Sequence, residues 1–323
     1  MDEQFDNENT VESPDNAAGE DQTQPQQSAD VRESFTFGSI LRDGFACFKT
    51  NFKMLLLLVL TVTLPMALVQ VFMIDSRFDY GGTMDTFMQL YSESAESGET
   101  GDISGMAWKL ALYLGISALI ASVSLITNAG ALILVGRRYG YVDDSGAAVR
   151  GTGTLRERDD IGFSALFEQA FRAFPKLWLT MLFVNFSVFM GFMLCFIPGI
   201  LIYYVFQFSA CSVVLTGLWC RRAGFVSSLA TRMYPRPSLI CALVFFVASG
   251  VLIPLLISLL AGLPALIGLD AVTSGIISVV LKCVQQLLVL LTVVTAATLF
   301  ARMLPKLEPI IDNSGVRGDK TIR

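Results

Sequence analysis

Apolar residues recur at helical steps near the start of the chain. Phe37, Leu41, Phe45, Phe48 and Phe52 are spaced by four, four, three and four residues, which gathers them on one face of an α-helix. Arg42, Asp43, Lys49 and Thr50 fall away from that face. The same steps return 126 positions later at Phe163, Phe167, Phe171, Phe174 and Trp178. The two stretches align without a gap, with Phe37 on Phe163, Ile40 on Leu166, Phe45 on Phe171, Phe48 on Phe174 and Phe52 on Trp178. A helix with a bulky aromatic stripe and a polar back is expected to lie in a membrane interface, stripe among the acyl chains. A weaker third version, Phe225, Leu229 and Met233, stands before "YPRPS". The pattern predicts three units, each an interfacial helix followed by a two-span hairpin.

Long apolar runs follow these stretches, and a span needs about 20 such residues. The expected spans are 54–74, 110–135, 177–196, 200–219, 239–260 and 275–300. Pro65 falls inside the first, where a membrane helix tolerates a kink. From Leu177 to Trp219 there is no charged residue, and as one helix this run would stretch roughly 64 Å, about twice the hydrocarbon thickness. It must therefore fold back, and the hairpin turn is expected at Pro198 and Gly199. The fold class is all-α: a polytopic integral membrane protein of six transmembrane helices with two or three amphipathic interfacial helices.

Charge then orients the spans. With the amino terminus cytoplasmic, 20 of the 23 Lys and Arg residues fall on the cytoplasmic side, a strong positive-inside bias. Trp108, Trp178 and Trp219 fall at expected span ends, where indole rings prefer to sit. The first 30 residues hold nine acids and no Lys or Arg. Residues 1–33 are therefore read as a disordered, acidic, Gln/Asn-rich cytoplasmic tail, and not as a secretory signal. Residues 34–302 form the membrane domain and 303–323 a cytoplasmic carboxyl-terminal tail. Only 16% of residues are charged against 53% hydrophobic, well below the roughly 25% charged of soluble domains.

Candidate chemistry is sparse. The chain has no histidine, which removes the commonest metal ligand and the usual neutral-pH base. Its six cysteines lack the paired spacing of a zinc site, and no cofactor or metal is expected. There is no phosphate-binding loop and no nucleophile–base pair. Lys282 lies within the sixth span and shares a helical face with Gln285 and Gln286. Two readings of that face stand: an ammonium that snorkels to the interface or packs against a helix, or a site for a solute or a lipid headgroup. Asn128, Asn185, Ser187, Gln207, Ser209 and Ser212 are read as interhelical hydrogen-bonding groups. No Asp or Glu falls inside the spans as drawn, which weakens a proton-coupled mechanism. The basic loops fit orientation and anionic lipid, not nucleic acid.

The order of these features resembles a known group. A segment F-x-x-I-L-x-x-x-F-x-x-F-x-x-N-F leads into the first span, and a small-residue second span ends "LITNAGALILVGRRYG". A second amphipathic segment with Pro175 leads to "IPGILIYYVFQFSACSVVL", then "RRAGFVSSLATRM". Over roughly residues 35–302 this resembles the YciC-like bacterial inner-membrane proteins and the related membrane domain of glycerophosphoryl diester phosphodiesterases. The resemblance implies an all-helical integral membrane fold in a bacterial inner membrane. Some relatives carry a phosphodiesterase barrel with catalytic histidines, which this sequence does not match, so that activity is not carried over. The expected function is non-enzymatic: a scaffold or accessory factor in membrane or envelope homeostasis that engages lipids and membrane or cytoplasmic protein partners. The alternative is a small-solute permease or channel using the polar face of the sixth span.

Overall fold

Helix α1, Phe37–Leu58, carries the first aromatic stripe and does not stop where the membrane run begins. It continues through a π-helical turn at Val59–Thr63, α2 at Leu64–Leu68 and a second π-helical stretch at Val69–Asp75. No Gly or Pro separates Phe52 from the apolar run, so nothing ends the helix there. The interfacial stretch and the first span are one rod. The structure is a computed structural model, and it describes residues 36–75, 88, 89, 92, 103–151 and 161–316. The reading of residues 1–33 as a disordered tail falls outside the described residues, as does the end of the chain from 317.

The described residues are helical apart from turns and one isolated bridge between Val142 and Ala148. Among the described residues six helical stretches are long and apolar enough to cross a membrane: Phe52–Asp75, Leu110–Arg138, Phe163–Leu194, Phe196–Thr216, Pro235–Pro264 and Ala271–Asn313. The second comprises most of α3, Ile103–Val123, and all of α4, Leu125–Arg138. The third is α5, Phe163–Leu194, again continuous from aromatic stripe to span. Its 32 residues extend about 48 Å, against roughly 30 Å of hydrocarbon, so it tilts or projects beyond it.

The third amphipathic segment is a separate helix, α8, Arg221–Met233. It ends at Tyr234, whose backbone (φ −125°, ψ 61°) is not helical. Pro235 follows, and a residue before proline is pushed out of the α region. The fifth span then runs through α9, Pro235–Val247, a π-helical turn at Ala248–Leu252, and α10, Ile253–Ile267.

Two of the π-helical turns have a shared cause. Leu64 N–H bonds to Val59 O and Ile253 N–H to Ala248 O, each just before a proline, Pro65 and Pro254. A proline ring crowds the carbonyl one turn earlier and offers no N–H. Widening the turn by one residue makes room and lets the helix continue.

The reversal after α5 is made by Cys195, whose backbone is extended (φ −172°, ψ 155°). Pro198 and Gly199, expected as the turn itself, lie in the first turn of α6, Phe196–Phe206, where a proline costs no helical hydrogen bond. A Cβ on Gly199 would stand 2.5 Å from the Phe192 ring, and one on Gly191 would stand 3.0 Å from the Gly199 Cα. These glycines let the two arms of the hairpin touch. After α6 comes α7, Ser209–Thr216, closed by Gly217 at φ +71°, a left-handed helix cap suited to glycine.

Helix α11, Ala271–Asn313, is the longest at 43 residues and packs against α1, α4 and α10. Its buried face is rich in small residues: Thr295, Ala296, Ala297, Thr298 and Ala301. In lipid the solvent gives helices no hydrophobic reason to associate, so close packing of small residues carries the association. Gly44 of α1 lies against Thr295, where an added Cβ would meet Oγ1 at 2.6 Å and Cα at 2.9 Å. Phe300 stacks on Phe208, with ring centroids 5.6 Å apart.

Candidate functional site

The aromatic stripes face outward. On α1 the buried face is Ile40, Gly44, Cys47, Leu55 and Leu58, whereas Leu41, Phe45 and Phe52 are exposed and Phe48 is half-buried. On α5 the buried face is Leu166, Ala170, Leu177 and Val184, while Phe163, Phe167, Phe174 and Trp178 are half-buried. The aligned pair Phe45 and Phe171 are 57% and 59% exposed. The aligned pairs Ile40 and Leu166, Gly44 and Ala170, and Leu58 and Val184 are all buried. The repeat is therefore written on two faces, one outward and aromatic, one inward and small. Sequence reasoning found only the first, although Ile40, Gly44, Cys47 and Asn51 have the same helical spacing. Neighbouring rings support each other along the stripe, Phe48 with Phe52 at 5.8 Å and Phe163 with Phe167 at 6.2 Å. The side chain of Phe37 lies outside the described residues.

The polar face of the sixth span opens on a cleft of about 340 Å³ between the first, second and sixth spans. Gln70, Ser117, Lys282, Gln285 and Gln286 line it together with apolar neighbours. Lys282, Gln285 and Gln286 thus share one cavity wall, as their spacing predicts. Gln286 Nε2 donates to Thr127 Oγ1 at 2.7 Å and to Asn128 Oδ1 at 3.4 Å. The Lys282 ammonium meets Asp75 Oδ2 at 3.4 Å, with the two side chains 29% and 37% exposed. The Tyr113 hydroxyl donates to Asp75 Oδ1 at 3.2 Å. The sequence gives no sign of Asp75, because the apolar run ends one residue before it. The helix does not end there, and a carboxylate on that last turn reaches the lysine.

The cleft is polar where lipid would demand apolar groups. Thr63 Oγ1 and Ser117 Oγ are buried in its wall without a hydrogen-bond partner among the described residues. At membrane depth an unmet polar group is costly, so such a cleft suits water or a polar solute. Lys282 is balanced by Asp75, which favours an uncharged or zwitterionic guest.

The Arg302 end of α11 is closed by a second set of charges. Arg302 pairs with Asp43 of α1, Arg150 with Asp312 at 2.6 Å, and Arg137 with Asp144 at 2.6 Å. The loop after α4 is folded around Asp143, whose Oδ1 accepts from Ser145 Oγ, Ser145 N and Ala147 N. The Ser145 hydroxyl, with these backbone amides and against slight desolvation, holds the Asp143 carboxyl below its ordinary range. Tyr141 is fully buried beneath this loop. Burial and the nearby Glu308 push its phenol upward.

Among the described residues no cluster of His, Cys, Asp or Glu is gathered to hold a metal, and all six cysteines are free thiols. No family model, no curated protein and no solved structure matches the chain. What stands is a polytopic membrane protein by its six spans, with an outward aromatic repeat and an internal polar cleft.

Proposed function

We propose that this is a non-enzymatic integral membrane protein that engages lipid through its paired aromatic helices, as an accessory or scaffold factor in membrane homeostasis. The sequence's resemblance to YciC-like inner-membrane proteins supports the same reading and a bacterial inner-membrane location. The observation that carries it is the matched exposure of Phe45 and Phe171 on two copies of one helix. A phenylalanine fully withdrawn from water contributes about 1.5–3 kcal/mol, so two stripes bind an interface firmly. The test is a Phe45→Ser, Phe171→Ser double variant with a fluorophore on a cysteine at Ala46. Quenching of the fluorophore by lipids brominated near the glycerol should fall sharply. Unchanged quenching would remove the reading.

The cleft favours a second reading, a permease or channel for a small uncharged or zwitterionic solute. Gln285→Leu strips an amide from the cleft wall without touching the ion pair. It should abolish solute flux in reconstituted vesicles, and normal flux in that variant excludes this route.

A further inference from the structure

A second cleft, also about 340 Å³, lies at the end of the third span away from Cys195, between α5, α7 and the turn at Ser145–Ala148. Arg172 and Lys176 stand on its α5 wall, one helical turn apart, and Val213, Val214 and Gly217 on its α7 wall. Arg172 pairs with Glu168 at 2.5 Å. Lys176 takes no ion pair among the described residues, so its charge is the unbalanced one. The nearby acids are occupied elsewhere: Asp143 within its own turn and Asp144 on Arg137.

Gln169 lines the same cleft and is more than nine-tenths buried. Its Nε2 donates to Asp144 O at 2.7 Å, while its Oε1 is buried without a partner among the described residues. A buried acceptor with no donor costs about 1–3 kcal/mol, so it points to a group that brings one. Lys176 immediately precedes Leu177, where the charge-free run starts. That level is the membrane interface, where lipid phosphates lie and basic side chains meet them.

We infer that this cleft binds the phosphodiester headgroup of an anionic lipid whose head carries a hydroxyl, the phosphate on Lys176 and Arg172 and the hydroxyl toward Gln169 Oε1. The site rests on the lipid-engaging reading and gives that reading a headgroup preference. Gly217 leaves the α7 wall without a side chain, and the two valines give the cleft an apolar side. A choline head has no donor for Gln169, and a bare phosphate monoester has none on a head group.

The experiment uses the full chain in a neutral detergent, with retained lipid counted by native mass spectrometry against equal phosphatidylglycerol and phosphatidylcholine. The wild type should retain the glycerol lipid, and Lys176→Gln should lower that preference about tenfold, as loss of one charge-assisted bond predicts. Lys49→Gln removes the same charge from an exposed position on α1 and should leave the preference intact. Equal loss in both variants, or none in Lys176→Gln, overturns the site. Phosphatidic acid retained as strongly as phosphatidylglycerol overturns the role of Gln169. Full displacement by glycerol phosphate at lipid-equivalent concentration shows a soluble phosphate ester to be the ligand instead. In the Phe45→Ser, Phe171→Ser variant the headgroup preference should persist, so failure of the aromatic reading and failure of this cleft are told apart.

Discussion

Lys282 and Asp75 lie 207 residues apart and meet at 3.4 Å, joining the sixth span to the last turn of the first. Both are partly exposed, so the pair is worth less than a fully buried one, about 1 kcal/mol. Asp75→Asn and Lys282→Gln should each lower detergent stability by about that amount, and the double variant should lose less than their sum. Thermal melts of the four proteins read the coupling directly. Strict additivity would mean that the two groups do not interact.

Gly44 sits against the backbone of Thr295, with no room for a methyl group. Gly44→Ala should therefore push α1 from α11 and destabilise by about 1–3 kcal/mol. Gly38, on the same helix, has nothing within 4 Å of an added Cβ. Gly38→Ala should be neutral or stabilise by up to about 1 kcal/mol through helix propensity. Melts that rank the two variants the other way would refute this packing.

The orientation expected from the basic bias puts the Asp143 loop inside and the turn before α11 outside, and labelling tests it. In a Cys195→Ser background, a cysteine at exposed Leu269 should react with an impermeant maleimide applied from outside intact cells. One at Ser145 should react only after permeabilisation. Labelling of both from outside would break the topology.

The loop around Asp143 should loosen in acid. Its carboxyl is held below the ordinary value of 3.8, chiefly by the Ser145 hydroxyl and two backbone amides. A depressed folded value contributes stability that is complete above the unfolded value and is lost as pH falls through the folded one. Protection of the Ser145 and Ala147 amides relative to their intrinsic exchange should thus be full above pH 3.8 and fall below it. In Asp143→Asn the acid-induced change should disappear.

Asp270 caps α11, accepting from Thr273 N at 3.1 Å and from its hydroxyl at 2.6 Å. Asp270→Ala should cost about 1 kcal/mol and Asp270→Asn much less, since Asn caps as well as Asp. Equal losses on thermal melting would deny the capping role.

The repeat of Phe45 in Phe171 was legible because helical spacing and bulk survive in a bare string of letters. So was the grouping of Lys282 with Gln285 and Gln286, which needs only the pitch of one helix. The partner of Lys282 was not, because Asp75 comes from another helix and ends an apolar run that appeared to stop before it. The sequence points to Pro198 and Gly199 for the reversal because those residues announce a break. The backbone instead turns at Cys195 and uses the proline to start the next helix and the glycine to let it lie close. Gln169 gave no signal, since a glutamine on an amphipathic helix reads as surface until the Asp144 loop covers it.

The first helix is fastened to the last by two clasps, Asp43 with Arg302 and Asp75 with Lys282. Its small face, at Gly44, rests on the last helix as well. Ribosomes add about 5–20 residues per second, so α1 waits roughly 10–40 s for its companion to be made. During that interval both carboxylates lack their basic partners on α11 and the glycine groove stays open, and a nascent chain halted before residue 282 holds every early span and still lacks the piece that shuts the bundle.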